Sequence, residues 1–323
     1  MFIIIQVIIT SGLPMARKER SSRRGRLNLI PWLLGFLLCF SPSIGAVSLE
    51  KNKLTILASV FSLFEFCQAV VGEHGQVELL LPAGVSPHDW QPRFSELVKL
   101  QKADVLAYIG ESLEPWVKEL VSSLKTNNLN LLSFEDLCFL QETEKPTELD
   151  PHIWLDFRLD GQIIERLVQF FSKLEPNLSA EFAANAASYV AKLQELDSLF
   201  QTGLGKCPQR TLIIDGHGAF SYLAKRYGLK QISLQGLNPE AELRPAQLRK
   251  VLELIKQEKI KAIFFEAGSN PRLARRLSGE LQLKVLPLHP GHNLSLADRQ
   301  LRKGFLDLMK ENLKNIREGL GCE

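Results

Sequence analysis

Short apolar runs alternating with helix-spaced stretches over most of the chain limit its fold more than any other feature. The runs "LTILAS" (54–59), "QVELLL" (76–81), "DVLAYIG" (104–110) and "LNLLSF" (129–134) read as strands in the first half. "TLIIDG" (211–216), "KQISLQG" (230–236), "KAIFFEA" (261–267) and "KVLPLH" (284–289) repeat the rhythm in the second. Helical patterns separate them, at 161–174, 218–227, 245–258, 270–280 and 297–318 among others. Crossovers of that length join parallel strands, and near-continuous apolar strands fit sheets buried on both faces. The expectation is an α/β protein with two α/β lobes built on parallel sheets.

Between the halves, residues 177–204 contain no proline, and no glycine before Gly203. Alanine and long side chains dominate, so 180–202 is expected to be one rigid helix joining the lobes, with Ser179 as its N-cap. The segments expected are 47–175 (N-terminal lobe), 176–205 (linking helix) and 206–323 (C-terminal lobe). Residues 1–46 read as an export signal, with a basic run at 15–26, an apolar run at 27–40 and small residues after it. Met15 is the expected start, the competing reading is a retained anchor, and "SRRGRL" (22–27) is similar to a twin-arginine signal.

The whole chain of 323 residues carries a net charge of +3. Residues 15–26 hold six basic side chains and one acidic, a net +5, so without them the balance is −2. Nothing basic then argues for nucleic acid. Beyond residues 1–46 lie four of the five cysteines: Cys67, Cys138, Cys207 and Cys322. None is spaced as a CxxC pair, and spacing leaves all three full pairings open, as well as a single disulfide or none.

Four of the six histidines sit where strand-like runs break: His88 in "GVSPHDWQP", His152 in "LDPHIWLD", His217 in "IIDGHGAF" and His289 in "LPLHPGH". Ligands gather at the carboxyl ends of strands in open parallel sheets, so two histidines per half can face one cleft. Imidazole suits zinc and its neighbours better than manganese, magnesium or calcium. Asp156, Asp215 and Glu266 are candidate carboxylates to support the imidazoles. Spacings of 64, 65 and 72 residues match no compact zinc signature, and no HExxH helix argues for a zinc hydrolase.

"GVSPHDWQPRFSELVKLQKADVLAYIG", "LDPHIWLD", "DGHGAFSYLAKRYGL", "EAELRPAQLRKVLELIKQEKIKAIFFE" and "VLPLHP" occur in an order that resembles the zinc/manganese solute-binding proteins of metal ABC importers, the adhesin-like cluster. That resemblance implies two α/β lobes joined by one rigid helix, with the metal site in the interlobe cleft. It implies His88, His152 and His217 as ligands, the last being histidine in zinc-type and glutamate in manganese-type members. The fourth position, commonly aspartate before proline, is occupied by His289, with His292 or water as alternatives. The implied role is capture of zinc outside the cytoplasmic membrane, in the periplasm or its equivalent, by a monomer without catalysis. Delivery would be to an ABC-importer permease. Manganese transport, a zinc hydrolase and a surface adhesin are the competing readings. Histidine ligands also imply that affinity falls as pH drops through ~6.5. His74 matches no ligand position and is expected to end a helix.

Overall fold

The computed structural model describes residues 53–123, 128–139, 149–235 and 245–323. The export-signal reading of 1–46 and the Met15 start lie outside the described residues, as does most of the acidic stretch 140–150. Among the described residues no helix is long and apolar enough to cross a membrane.

The first sheet holds β1 (Leu54–Ala58), β2 (Gly75–Leu79), β3 (Val105–Tyr108) and β4 (Asn130–Ser133) in the order β2-β1-β3-β4. Every pairing is parallel. The second sheet holds β5 (Thr211–Asp215), β6 (Lys230–Ser233), β7 (Ala262–Glu266) and β8 (Lys284–Leu288) in the equivalent order β6-β5-β7-β8, also all parallel. In each sheet the chain reverses its direction of winding between the two central strands, where a crevice opens beyond their carboxyl ends. Helices α1 (Phe61–Val71), α2 (Phe94–Lys102), α3 (Trp116–Ser123) and α4 (Glu135–Cys138) belong to the first sheet. Helices α7 (Ser221–Arg226), α8 (Pro245–Gln257), α9 (Arg272–Leu281), α10 (Leu296–Gln300) and α11 (Phe305–Leu320) belong to the second.

Two helices join the halves. α5 (Phe157–Leu174) begins four residues before the expected 161 because Asp156 caps it, accepting from Arg158 N at 3.1 Å. α6 (Ser179–Leu204) is the long linking helix, 26 residues and so about 39 Å. Its N-cap is Leu178, not Ser179, because a 3-10 turn over Pro176–Leu178 already turns the chain. The Ser179 hydroxyl donates back to Pro176 O at 2.8 Å instead. α6 packs on α1, α5 and α11. Phe182, Leu193, Leu196, Phe200 and Leu204 are buried along it at helical spacing, one apolar stripe that holds the joint against the rest of the protein.

The expected single helix over 297–318 is two, α10 and α11, broken ahead of Gly304, which caps α11. His74 closes a 3-10 turn after α1, its Nε2 2.8 Å from Glu181 Oε1. Cys207 and Cys322 are disulfide-bonded, pinning the end of α11 to the segment after α6, while Cys67 and Cys138 are buried thiols.

Candidate metal centre

Each histidine reaches the cleft by a different local device. His88 stands in the irregular stretch between β2 and α2, after a turn at Pro82–Val85 in which Gly84 has φ +76°. Trp116 Nε1 donates to Pro87 O at 3.3 Å, and Trp90 stands edge-on to Trp116 with ring centres 4.8 Å apart. His152 precedes a 3-10 turn (Ile153–Leu155) that leads to the Asp156 cap of α5. His217 follows β5 by two residues, at the point where the winding of the second sheet reverses.

These three imidazoles come together, with one ring nitrogen of each within 4.8 Å of the others. Ring centres are 5.4 Å apart for His88 and His152, 5.3 Å for His88 and His217, and 5.0 Å for His152 and His217. His152 Nε2 and His217 Nε2 are 3.2 Å apart. The edge of a zinc tetrahedron with Zn–N near 2.0–2.1 Å is ~3.3 Å.

Carboxylates bias the tautomers. His152 Nδ1 lies 2.8 Å from Asp150 Oδ1, which also accepts from His152 N at 3.0 Å. His217 Nδ1 lies 2.8 Å from Glu266 Oε2; the N–H is poorly aligned for a hydrogen bond, so this contact is mainly electrostatic. A carboxylate beside each Nδ1 favours the proton there, the tautomer in which both Nε2 atoms face each other as acceptors. His88 Nε2 is buried with no hydrogen-bond partner. Burial and the neighbouring imidazoles push His88 down to about 2, and burial lowers His152 as well. The unpartnered Nε2 of His88 and the facing Nε2 atoms of His152 and His217 thus converge on one small volume, an arrangement suited to a cation.

His289 is elsewhere in the cleft. Its Nε2 lies 3.3 Å from Glu311 Oε2 and its Nδ1 4.0 Å from Asp298 Oδ2. Lys303 neutralises both acids, at 2.8 Å from Asp298 Oδ1 and 2.7 Å from Glu311 Oε1. The His289 backbone is held by Asn312, whose Oδ1 accepts from His289 N and whose Nδ2 donates to His289 O, both at 2.7 Å. His292 is buried, its Nε2 3.7 Å from Glu266 Oε1, and burial drives it down to about 3. A cavity of about 320 Å³ opens between His217, Glu266, His289 and His292.

Of the three candidate carboxylates, Glu266 is beside the imidazoles. Asp156 caps α5 and pairs with Arg158, and Asp215 caps α9 by accepting from Ala274 N at 2.8 Å. The carboxylate that sequence reasoning missed is Asp150. Its signal was available, since an aspartate two residues before a histidine across a proline can bind that residue's own backbone N–H.

Residues 56–319 match the family model for the periplasmic zinc-uptake complex component A, ZnuA. The zinc-binding lipoprotein AdcA of Streptococcus pneumoniae is 33% identical over 280 residues, 83% of this chain but 56% of that protein, so the chain spans about half its length. The high-affinity zinc uptake system protein ZnuA of Bacillus subtilis is 31% identical over 87% of this chain and 92% of its own. Among solved structures, the Zn(II)-bound ZnuA-like domain of S. pneumoniae AdcA superposes with a TM-score of 0.72 at 33% identity, covering 83% of this chain and 99% of that one. The two parallel sheets, the long joining helix, the histidine cleft and the match over 56–319 lead to one conclusion: the chain belongs to the ZnuA family of zinc-uptake components.

Proposed function

We propose that this chain captures zinc outside the cytoplasmic membrane and delivers it to an ABC permease, acting as a monomeric binding protein. His88, His152 and His217 would bind through nitrogen, drawn from both sides of the cleft. The observation that carries the reading is the pair of bare Nε2 atoms at 3.2 Å, which repel each other unless a proton or metal lies between them. An all-imidazole donor set favours zinc over manganese, and Glu266 and Asp150 offset part of the dication's charge through the rings. The relatives' names, which describe zinc binding and zinc uptake, support the same cargo.

Water from the cavity would complete the coordination. His289, the residue that the family resemblance assigns to this position, would first have to leave Glu311 and Asp298. Chelator competition separates the two. His88→Ala is expected to weaken zinc by more than the ~10–100-fold that losing an outer partner costs, and His289→Ala, whose ring lies against Glu311 and Asp298 rather than the cluster, by less than that range. Equal losses in the two variants would make His289 the fourth ligand.

A further inference from the structure

The connection from Leu80 to Arg93 carries His88 and has no helix or strand of its own. A ligand on such a segment is only as well placed as the contacts that hold the segment. Leu80 N still bonds Ala58 O in its own sheet at 2.8 Å, but the turn that follows is held from across the cleft.

Asn293, between β8 and α10, spends both hydrogens of its carboxamide on this loop. Its Nδ2 donates to Pro82 O at 2.7 Å and to Val85 O at 2.7 Å. Those carbonyls are the first and last of the tight turn at 82–85, which Val85 N closes on Pro82 O at 3.3 Å. One side chain thus grips both ends of the turn. Gly84 N adds a backbone bond to Leu294 O at 3.0 Å. The Asn293 side chain is itself steadied, because its Oδ1 accepts from Leu294 N at 2.7 Å.

The segment bearing Asn293 is anchored in turn. Phe61 N donates to His292 O at 2.8 Å, and Trp154 Nε1 donates to Pro290 O at 2.6 Å. Gly291 has φ +78°, and a Cβ there would meet Phe305 at 3.0 Å and Trp154 Nε1 at 3.1 Å, so only glycine fits. Gly84, Val85, Ser86 and Asn293 line the same cavity as His217 and Glu266. The contact therefore lies at the mouth of the histidine cluster, between the loop that brings His88 and the opposite lobe.

We propose that Asn293 is a latch: it positions the His88 loop against the C-terminal lobe and so sets how long bound metal is retained. The proposal rests on the three-histidine reading above. Asn293 touches no metal; it acts through His88.

Asn293→Asp tests it cleanly. The aspartate keeps an oxygen for Leu294 N but turns the other toward two carbonyl oxygens, so the backbone bond from Gly84 N to Leu294 O survives and the two side-chain bonds to Pro82 O and Val85 O do not. Zinc dissociation into excess chelator, followed by stopped flow, is expected to accelerate about tenfold for the loss of two neutral hydrogen bonds. Amide exchange in the metal-free protein is expected to rise over 84–88 and stay unchanged over 211–220. Asn293→Ser, which removes the donors without adding charge, is expected to act in the same direction more weakly, and serves if the aspartate variant does not fold. An unchanged dissociation rate, or an acceleration with exchange raised equally over 211–220, would overturn the proposal. A wild-type chain that retains no zinc would sink the three-histidine reading instead, while exchange at 84–88 would still report on the latch.

Discussion

Asp150 does three things at once. Its Oδ1 holds His152 at both the ring and the backbone, its Oδ2 takes the hydroxyl of Ser221 at the start of α7, and its own carbonyl accepts from Tyr222 OH at 3.2 Å. It holds the His152 ring while joining the two lobes. Asp150→Asn keeps the shape and removes the charge, and zinc affinity by chelator competition is expected to fall about 10–100-fold. A second expectation concerns pH. His292 is held neutral when folded, down to about 3, but titrates near its ordinary ~6.5 when unfolded. As pH falls below ~6.5 the unfolded chain takes up this proton and the folded chain does not, so stability is lost. Relative to His292→Gln, the metal-free wild type is expected to lose up to about 1.4 kcal/mol per pH unit between ~6.5 and about 3, measured by denaturant unfolding. On the proposed reading, the burial that lowers His88 and His152 would also move the acid loss of zinc binding below ~6.5. Pro-His at two strand breaks and Asp-Gly-His at a third were readable as candidates in the sequence. The orientation of His289 was not, because it depends on Glu311 and Asp298, which approach it only through the packing of α10 and α11.

At the scale of elements, all eight strands were legible, because their short runs break the helical rhythm on either side, even where, as in β4 and β6, the strand is only partly buried. Their ends were less so: β2 stops at Leu79, although Leu80 and Leu81 continue the apolar run and are buried without being strand. The break between α10 and α11 was missed because 297–318 keeps a helical rhythm across it, and only Gly304 marks the new start. Pairing of Cys207 with Cys322 could not be chosen by spacing. It closes a separation of 115 residues, worth about 5 kcal/mol in the chain-entropy account. α11 also bears on the site. A Cβ at Gly319 would fall 2.4 Å from Phe264 Cζ and 3.1 Å from Ala262 Cβ, so α11 lies directly against β7. Gly319→Ala must push apart the helix and the strand that ends in Glu266. A loss of about 1–3 kcal/mol in denaturant unfolding is expected, typical of an overfilled core. A neutral result would mean that this contact is loose.

For the whole molecule, the two sheets share one winding order and differ in what their crevices hold. The second sheet contributes His217 and Glu266 at its central crevice, and His292 after β8. The first sheet contributes only His88, from beyond β2, and the crossing chain supplies His152 with Asp150. On the proposed reading, the packing of α6 against α1, α5 and α11 would keep the nitrogens of the two lobes together, because lobes free to part would scatter them. The central claim is that one zinc sits among three imidazoles brought together from both lobes. X-ray absorption at the zinc edge, on wild-type protein loaded with one equivalent, tests it most directly. The account predicts nitrogen and oxygen neighbours alone at about 2.0–2.1 Å, with the outer-shell scattering of three imidazole rings. Sulfur at about 2.3 Å, or a shell with one imidazole or none, would contradict it.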